Sequence, residues 1–190
     1  MLTRVCAVAA VAAALAGLAR GDGPKTPLRL AVEVPKEPAT VADLSRGEYP
    51  IQLTFTNAGN QNLVIWPYAG LEVKDALNQT IPATTKSGRW GKTAGGSILE
   101  QVQFVIVKPG QVYNLSVNLA TYKGDPDVVK GWTLKPGNYT LVFSYEYDPA
   151  AAKKKYGRGG NDLDNATKLW NRALKAKEEV TAKLKVRTKA

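Results

Sequence analysis

From residue 28 onward the chain alternates apolar and polar positions in short runs. Leu28, Leu30, Val32 and Val34 are separated by Arg29, Ala31 and Glu33, and Ile51, Leu53 and Phe55 are separated by Gln52 and Thr54. A period of two puts every second side chain on the same side of a strand, so each run predicts a strand with one face in a core. Asn57, Gly59 and Asn60 mark a turn. Leu63-Val64-Ile65-Trp66 then predicts a strand that Pro67 ends, because proline brings no N–H to a ladder. Residues 71–74 and 79–81 read as a hairpin around the polar tetrad Asp75-Ala76-Leu77-Asn78.

Val102, Phe104 and Ile106 predict the inward face of a further strand running into Lys108-Pro109-Gly110-Gln111, where Pro sets the first turn angle and Gly takes the positive one. Tyr113, Leu115, Val117 and Leu119 resume the alternation. A second Pro-Gly turn at 135–138 opens the clearest strand, with Tyr139, Leu141, Phe143, Tyr145 and Tyr147 on one face. The last run sets Val180, Ala182, Leu184 and Val186 against Thr181, Lys183, Lys185 and Arg187, so its outward face is basic apart from one Thr. Before it, Leu163, Ala166, Trp170, Ala173, Leu174 and Lys177 recur at helical spacing behind Asp162 or Asp164 as a cap. This predicts a short helix within 162–179, preceded by a mobile Lys- and Gly-rich loop over 150–160. Many short strands with Pro-Gly turns predict an all-β fold: an antiparallel two-sheet sandwich with a short helix or irregular insertion, 150–179, before the last strand.

Leu134-Lys135-Pro136-Gly137-Asn138-Tyr139-Thr140-Leu141 resembles the Leu-x-Pro-Gly-x-Tyr-x-Leu signature that opens a late strand in immunoglobulin-like and fibronectin-type-III-like β-sandwich modules. Residues 50–57 with the Asn60 turn look like the early strand pair of such modules in exported bacterial proteins. The resemblance covers 27–147 and 180–187. It implies an immunoglobulin-like sandwich in which Tyr139 forms a structural tyrosine corner, its hydroxyl bonded back to the backbone of the preceding corner. It implies no activity, because sandwiches of this kind carry unrelated functions.

At the amino end, Arg4 precedes an apolar run over 5–19 made mainly of Ala, Val and Leu. One positive charge, a short apolar core and small residues at Ala14, Ala16, Gly17 and Ala19 form the pattern of a secretory leader, with cleavage expected after Ala16 or Ala19. A spanning helix needs roughly 20 apolar residues, so no transmembrane span is expected after cleavage. The expected organisation is a signal peptide at 1–19, a linker at 20–26 and one sandwich domain at 27–190, in a secreted or periplasmic protein. About 170 residues suffice for one full core. The single cysteine, Cys6, lies in the leader, and the chain contains no His. The exported part would then hold no disulfide, imidazole base, thiolate nucleophile or common zinc ligand, which argues against an enzyme and against a metal or other cofactor.

Charge changes the picture for partners. The formal net charge is +10, yet 20–149 carries 13 Lys or Arg against 12 Asp or Glu, whereas 150–190 carries 12 against 4. A basic block attracts polyanions without a shaped site, and it also serves simply to keep a protein soluble. The expected partner is a protein, an anionic polymer or a glycan at the cell envelope, with no specific nucleic acid.

Gly91-Lys92-Thr93 is the ending of a phosphate-binding loop, but that loop needs a Gly five positions earlier, where Lys86 stands, and a helix afterwards, where Ala94-Gly95-Gly96-Ser97 follows. Nucleotide binding is therefore not expected. Lys86, Arg89 and Lys92 surround Trp90, and a cation-flanked aromatic on a loop can hold a sugar face or an acidic polymer, so these four are the candidate ligand-binding residues. Trp66, Tyr68 and Trp132 would add to them if they lie at the same end; otherwise they cover the ends of the core. Asp162-Leu163-Asp164-Asn165 begins like a calcium loop, but Ala166 takes the fifth position and no Gly follows. Asp125-Pro126-Asp127 reads as an ordinary turn. Asn78, Asn114, Asn138 and Asn165 begin Asn-x-Ser/Thr triplets that read as chance. The sequence thus predicts an exported, non-enzymatic β-sandwich module with a structural or binding role at the cell envelope. The alternatives are a secreted proteinase inhibitor using the 87–97 loop, and a glycan or acidic-polymer binder acting through the basic region 150–190.

Overall fold

Strands dominate the computed structural model, which describes residues 26–87, 104–125, 128–156 and 169–188. In chain order the strands are β1 (Leu28–Glu33), β2 (Ala39–Thr40), β3 (Ile51–Asn57), β4 (Leu63–Ile65), β5 (Gly70–Lys74), β6 (Thr84–Ser87), β7 (Val105–Val107), β8 (Val112–Val117), β9 (Tyr122–Asp125), β10 (Val128–Gly131), β11 (Gly137–Tyr147) and β12 (Ala176–Arg187). The helices are α1 (Val41–Arg46), α2 (Pro149–Tyr156) and α3 (Leu169–Arg172). The chain is all-β with a few short helices.

Hydrogen bonding sorts the strands into four sheets, ordered β1-β3-β8, β2-β12-β11-β5, β6-β10-β9 and β4-β7. All pairs are antiparallel except β2 with β12, where Ala39 faces Val186 and Thr40 faces Arg187. The longest pair, β11 with β12, runs from Gly137 opposite Val186 to Tyr147 opposite Ala176.

The alternation read from the sequence places the core. In β3, Ile51, Leu53 and Phe55 are buried, and in β11 so are Leu141, Phe143, Tyr145 and Tyr147. The Phe55 and Tyr145 rings meet edge-on with centroids 5.8 Å apart, which brings the β3 and β11 sheets together across the core. Each such fully buried ring contributes about 2–3 kcal/mol through removal of apolar area from water. Asn57, at the end of β3, is the buried polar residue of this core. Its Nδ2 donates to the carbonyls of Gln61 (2.7 Å) and Val107 (2.8 Å), and its Oδ1 accepts from Gly59 N–H (2.9 Å). The Pro109-Gly110 turn forms as expected: Gly110 has φ 72° and Gln111 N–H donates to the Lys108 carbonyl at 3.0 Å.

Several elements differ from expectation. The second Pro-Gly step is not a turn of the same kind, since Gly137 already pairs with Val186 as the first residue of β11. In β7 the inward residue is Val107, while Ile106 is 50% exposed, the reverse of the expected phase. A three-residue strand carries too few positions to fix its phase, and pairing with the wholly buried β4 sets it. Residues 149–156 form α2 rather than a loop. Asp148 starts it by accepting from Ala150 N–H (2.9 Å), and Pro149 is suited to the first helical position. The helix expected within 162–179 is cut short. The part at 162–168 lies outside the described residues, α3 occupies 169–172, and 176–179 belong to β12. Pairing with β11 overrides the helical propensity of Ala176-Lys177-Glu178-Glu179, because it satisfies a whole ladder of backbone groups.

α1 was not anticipated. Thr40 caps it with a reciprocal pair: Asp43 N–H donates to Thr40 Oγ1 and Thr40 N–H donates to Asp43 Oδ2, both at 3.1 Å. Gly47 closes it at φ 71°. The bond to Thr40, together with its backbone N–H and Arg46, holds the Asp43 carboxyl below its ordinary value. The leader and linker expected over 1–25 lie outside the described residues. Among those residues no helix is long and apolar enough to cross a membrane.

Candidate functional site

A depression of about 670 Å³ lies at one end of the β2-β12-β11-β5 sheet. Four pieces of chain converge on it. The segment after β1 contributes Val34 to Pro38, the tip of the β5 hairpin contributes Asp75, Ala76 and Asn78, and the opening of β11 and the end of β12 supply the rest. Register explains the convergence: Asn138 lies opposite Lys185, Tyr139 opposite Leu184, and Thr140 opposite both Lys183 and Lys74. The parallel β2–β12 pair draws the 34–38 segment to the same end.

The walls of this groove are fixed by hydrogen bonds. Tyr49 is nearly buried, and its hydroxyl reaches both the Pro35 carbonyl (3.1 Å) and the Glu37 carbonyl (2.8 Å). Burial, with the Glu37 charge nearby, raises its pKa. At the hairpin tip, Asp75 Oδ1 accepts from Leu77 N–H and Gln79 N–H, both at 2.9 Å, and Asn78 takes the left-handed conformation at φ 63°. Tyr139 Oη donates to the Lys135 carbonyl at 2.8 Å, tying the start of β11 to the bend before it.

The electrostatics of the groove are uneven. Lys183 Nζ donates to Thr140 Oγ1 at 2.8 Å, a neutral partner. Among the described residues Lys36, Lys183 and Lys185 pair with no carboxylate, whereas Lys74 pairs with Glu72 (3.3 Å), Lys175 with Asp148 (2.8 Å) and Lys177 with Glu146 (3.8 Å). Lys74 and Lys177 of this sheet are thus ion-paired, whereas the three groove lysines share their depression with Glu37 and Asp75 without pairing to them.

Two smaller cavities lie elsewhere. One of about 370 Å³ is bordered by Trp66, Tyr68, Glu146, Tyr147, Asp148 and Lys155. Its aromatic side is a packed cluster, with Trp66 against Tyr68 (5.1 Å), Phe104 (5.2 Å) and Tyr147 (5.4 Å). The other, about 350 Å³, is mainly apolar and lies between α1 and β10, bordered by Leu44, Val129, Trp132 and Leu134.

Of the residues expected to bind a ligand, Lys86 lies in β6, paired with Val129. Arg89, Trp90 and Lys92 lie outside the described residues, as do the calcium-like 162–166 stretch and residues 126–127 of the Asp-Pro-Asp step. Trp66 and Trp132 are each 6% exposed and belong to separate clusters, Trp132 packing on Tyr122 and donating from Nε1 to the Ile81 carbonyl. They are core residues, and the structure does not gather them into one binding surface. Among the described residues no group of three or more Asp, Glu, His or Cys could hold a metal ion. Sequence reasoning missed Lys36, Asn78 and Asn138 as neighbours of Lys183 and Lys185. Only the basic alternation of the last strand pointed toward this place.

The chain matches no family model, and no curated protein matches it.

Proposed function

We propose that this chain is an exported, non-enzymatic module of immunoglobulin-like sandwich architecture that works by binding at the cell envelope. The architecture is supported by the facing β3 and β11 sheets and by the Tyr139 bond to Lys135, which has the geometry of a tyrosine corner. Export is supported by the leader pattern over 1–19. The observation that carries the binding role is the groove whose lysines Lys36, Lys183 and Lys185 lack carboxylate partners among the described residues. Unmatched like charge beside a depression is an arrangement for an anionic partner rather than for fold stability, because exposed pairs of this kind contribute little to folding.

The test is fractionation of cells producing the full chain, followed by mass measurement. The exported fraction should contain the protein shortened by the leader, and the purified protein should sediment with isolated envelope and be released as salt rises past the range where charges are screened. An intact chain retained in the cytoplasm would overturn export; no sedimentation at low salt would overturn the binding role.

A further inference from the structure

The groove has the chemistry of an acidic-sugar site, and we propose that it binds a carboxylated or sulfated polysaccharide. This inference rests on the reading of the chain as an exported binding module and names the ligand class. Lys183 and Lys185 stand two residues apart on one face of β12, so their Cα atoms are about 6.5–7 Å apart, a spacing that presents two cations in line to an extended chain. Lys36, on the segment after β1, adds a third to the lining. The neutral hydrogen bond from Lys183 to Thr140 orients its ammonium without cancelling the charge. Asn78 and Asn138 offer amide donors and acceptors, the groups that match sugar hydroxyls.

The carboxylates of the groove do not defeat this. Three lysines line the groove against two carboxylates, Glu37 and Asp75, and Asp75 is held at the hairpin tip by two backbone N–H groups. A nucleic acid fits less well. Single strands are held by open aromatic faces, and here Tyr49 is nearly buried while the Tyr139 hydroxyl is tied back to Lys135. A lipid surface fits less well too, since Leu77 alone at the hairpin tip presents little apolar area for a bilayer.

Binding of the purified protein would be measured at about 0.15 M salt against heparin as the sulfated probe and polygalacturonate as the carboxylated one. Neutral dextran, duplex DNA and phosphatidylglycerol vesicles are the other arms. At least one acidic polysaccharide should bind, dextran should not, and whichever acidic probe binds more tightly identifies the anionic group. The combined change Lys36→Gln, Lys183→Gln and Lys185→Gln should weaken that binding about tenfold, the sum expected of three exposed charge contacts. The control change Lys108→Gln, Lys154→Gln and Lys177→Gln removes equal charge elsewhere and should weaken it less than about twofold. Asn138→Asp, a single exposed change, should weaken it as well and serves if the triple variant does not fold. Equal weakening by both triple variants, or DNA or vesicles bound as tightly as polysaccharide, would overturn the proposal. Absence of polysaccharide binding while the protein still sediments with envelope would overturn this site alone; absence of both would overturn the binding role with it.

Discussion

Asn57 Nδ2 donates to the Val107 carbonyl at 2.8 Å inside the core, joining the end of β3 to the end of β7 fifty positions later in the chain. The same side chain bonds Gln61 and Gly59, so one buried amide has all three of its bonds to backbone groups, the Val107 carbonyl among them buried. Asn57→Ala should therefore cost about 3 kcal/mol of unfolding free energy, the scale of orphaned buried polar groups. Urea denaturation measures it, and a loss below about 0.5 kcal/mol would show that water takes over these bonds. Asn57→Asp should cost more at neutral pH, since a carboxylate cannot donate to two carbonyls.

Gly47 and Gly110 share a left-handed backbone, with φ of 71° and 72°. Around Gly110 an added Cβ meets nothing, whereas at Gly47 it would run into the Asn118 side chain, itself held by Ala120 N–H at 2.8 Å. Gly110→Ala should cost about 1 kcal/mol from backbone strain alone. Gly47→Ala should cost more, and the difference between the two melting curves reports the Asn118 contact. Equal losses would contradict this.

Tyr139→Phe removes the bond to the Lys135 carbonyl and nothing else. The bond is exposed, so the expected loss is about 0.5–1.5 kcal/mol, read from the urea midpoint with an unchanged slope. A fall of several kcal/mol would mean that the Tyr139 hydroxyl organises more of the fold than its one bond.

Alkali should unfold the protein cooperatively. Burial raises the pKa of Tyr145 from its ordinary value of 10.0 to about 12 against the opposing bond from Trp66 N–H, and burial pushes Tyr122 and Tyr147 up as well. These groups hold their protons more tightly folded than unfolded. Their contribution is complete below pH 10 and is lost as the pH rises toward the folded values. Stability measured between neutral pH and 12 should stay level and then fall steeply from about pH 10, with tyrosinate absorbance rising in the same transition. Smooth ionisation of all tyrosines near their ordinary value without unfolding would contradict the burial of these rings.

Strands with a clear apolar run were legible, including the short β4 and β5, and those without one were not. Phe143 and Leu53 could be placed inside because β11 and β3 repeat the alternation often enough to overrule other patterns. β6, β9 and β10 are four residues each, and runs such as Tyr122-Lys123-Gly124-Asp125 carry no periodic signal. α1 was within reach, since Thr40, Asp43 and Gly47 are its start and stop signals, but a six-residue helix shows no apolar face. Ala176 to Glu179 misled because Lys, Glu and Ala favour helix locally, while the partner that makes them a strand lies some thirty positions upstream. The groove was legible only in part. The basic face holding Lys183 and Lys185 was visible, whereas its union with Lys36 depends on the β2–β12 pairing and its union with Asn78 on the β5–β11 pairing, neither of which a local pattern announces.

That parallel pairing bears on when the chain can fold. β12 completes the ladder with β11, binds β2 and lies against β1, so the pairing of β2 and the covering of β1 wait for residues 176–187. A nascent chain emerging amino end first would keep that side open and pliant until 176–187 had followed. Loss of 176–187 should then leave a species that proteases digest rapidly, rather than a slightly weakened native one.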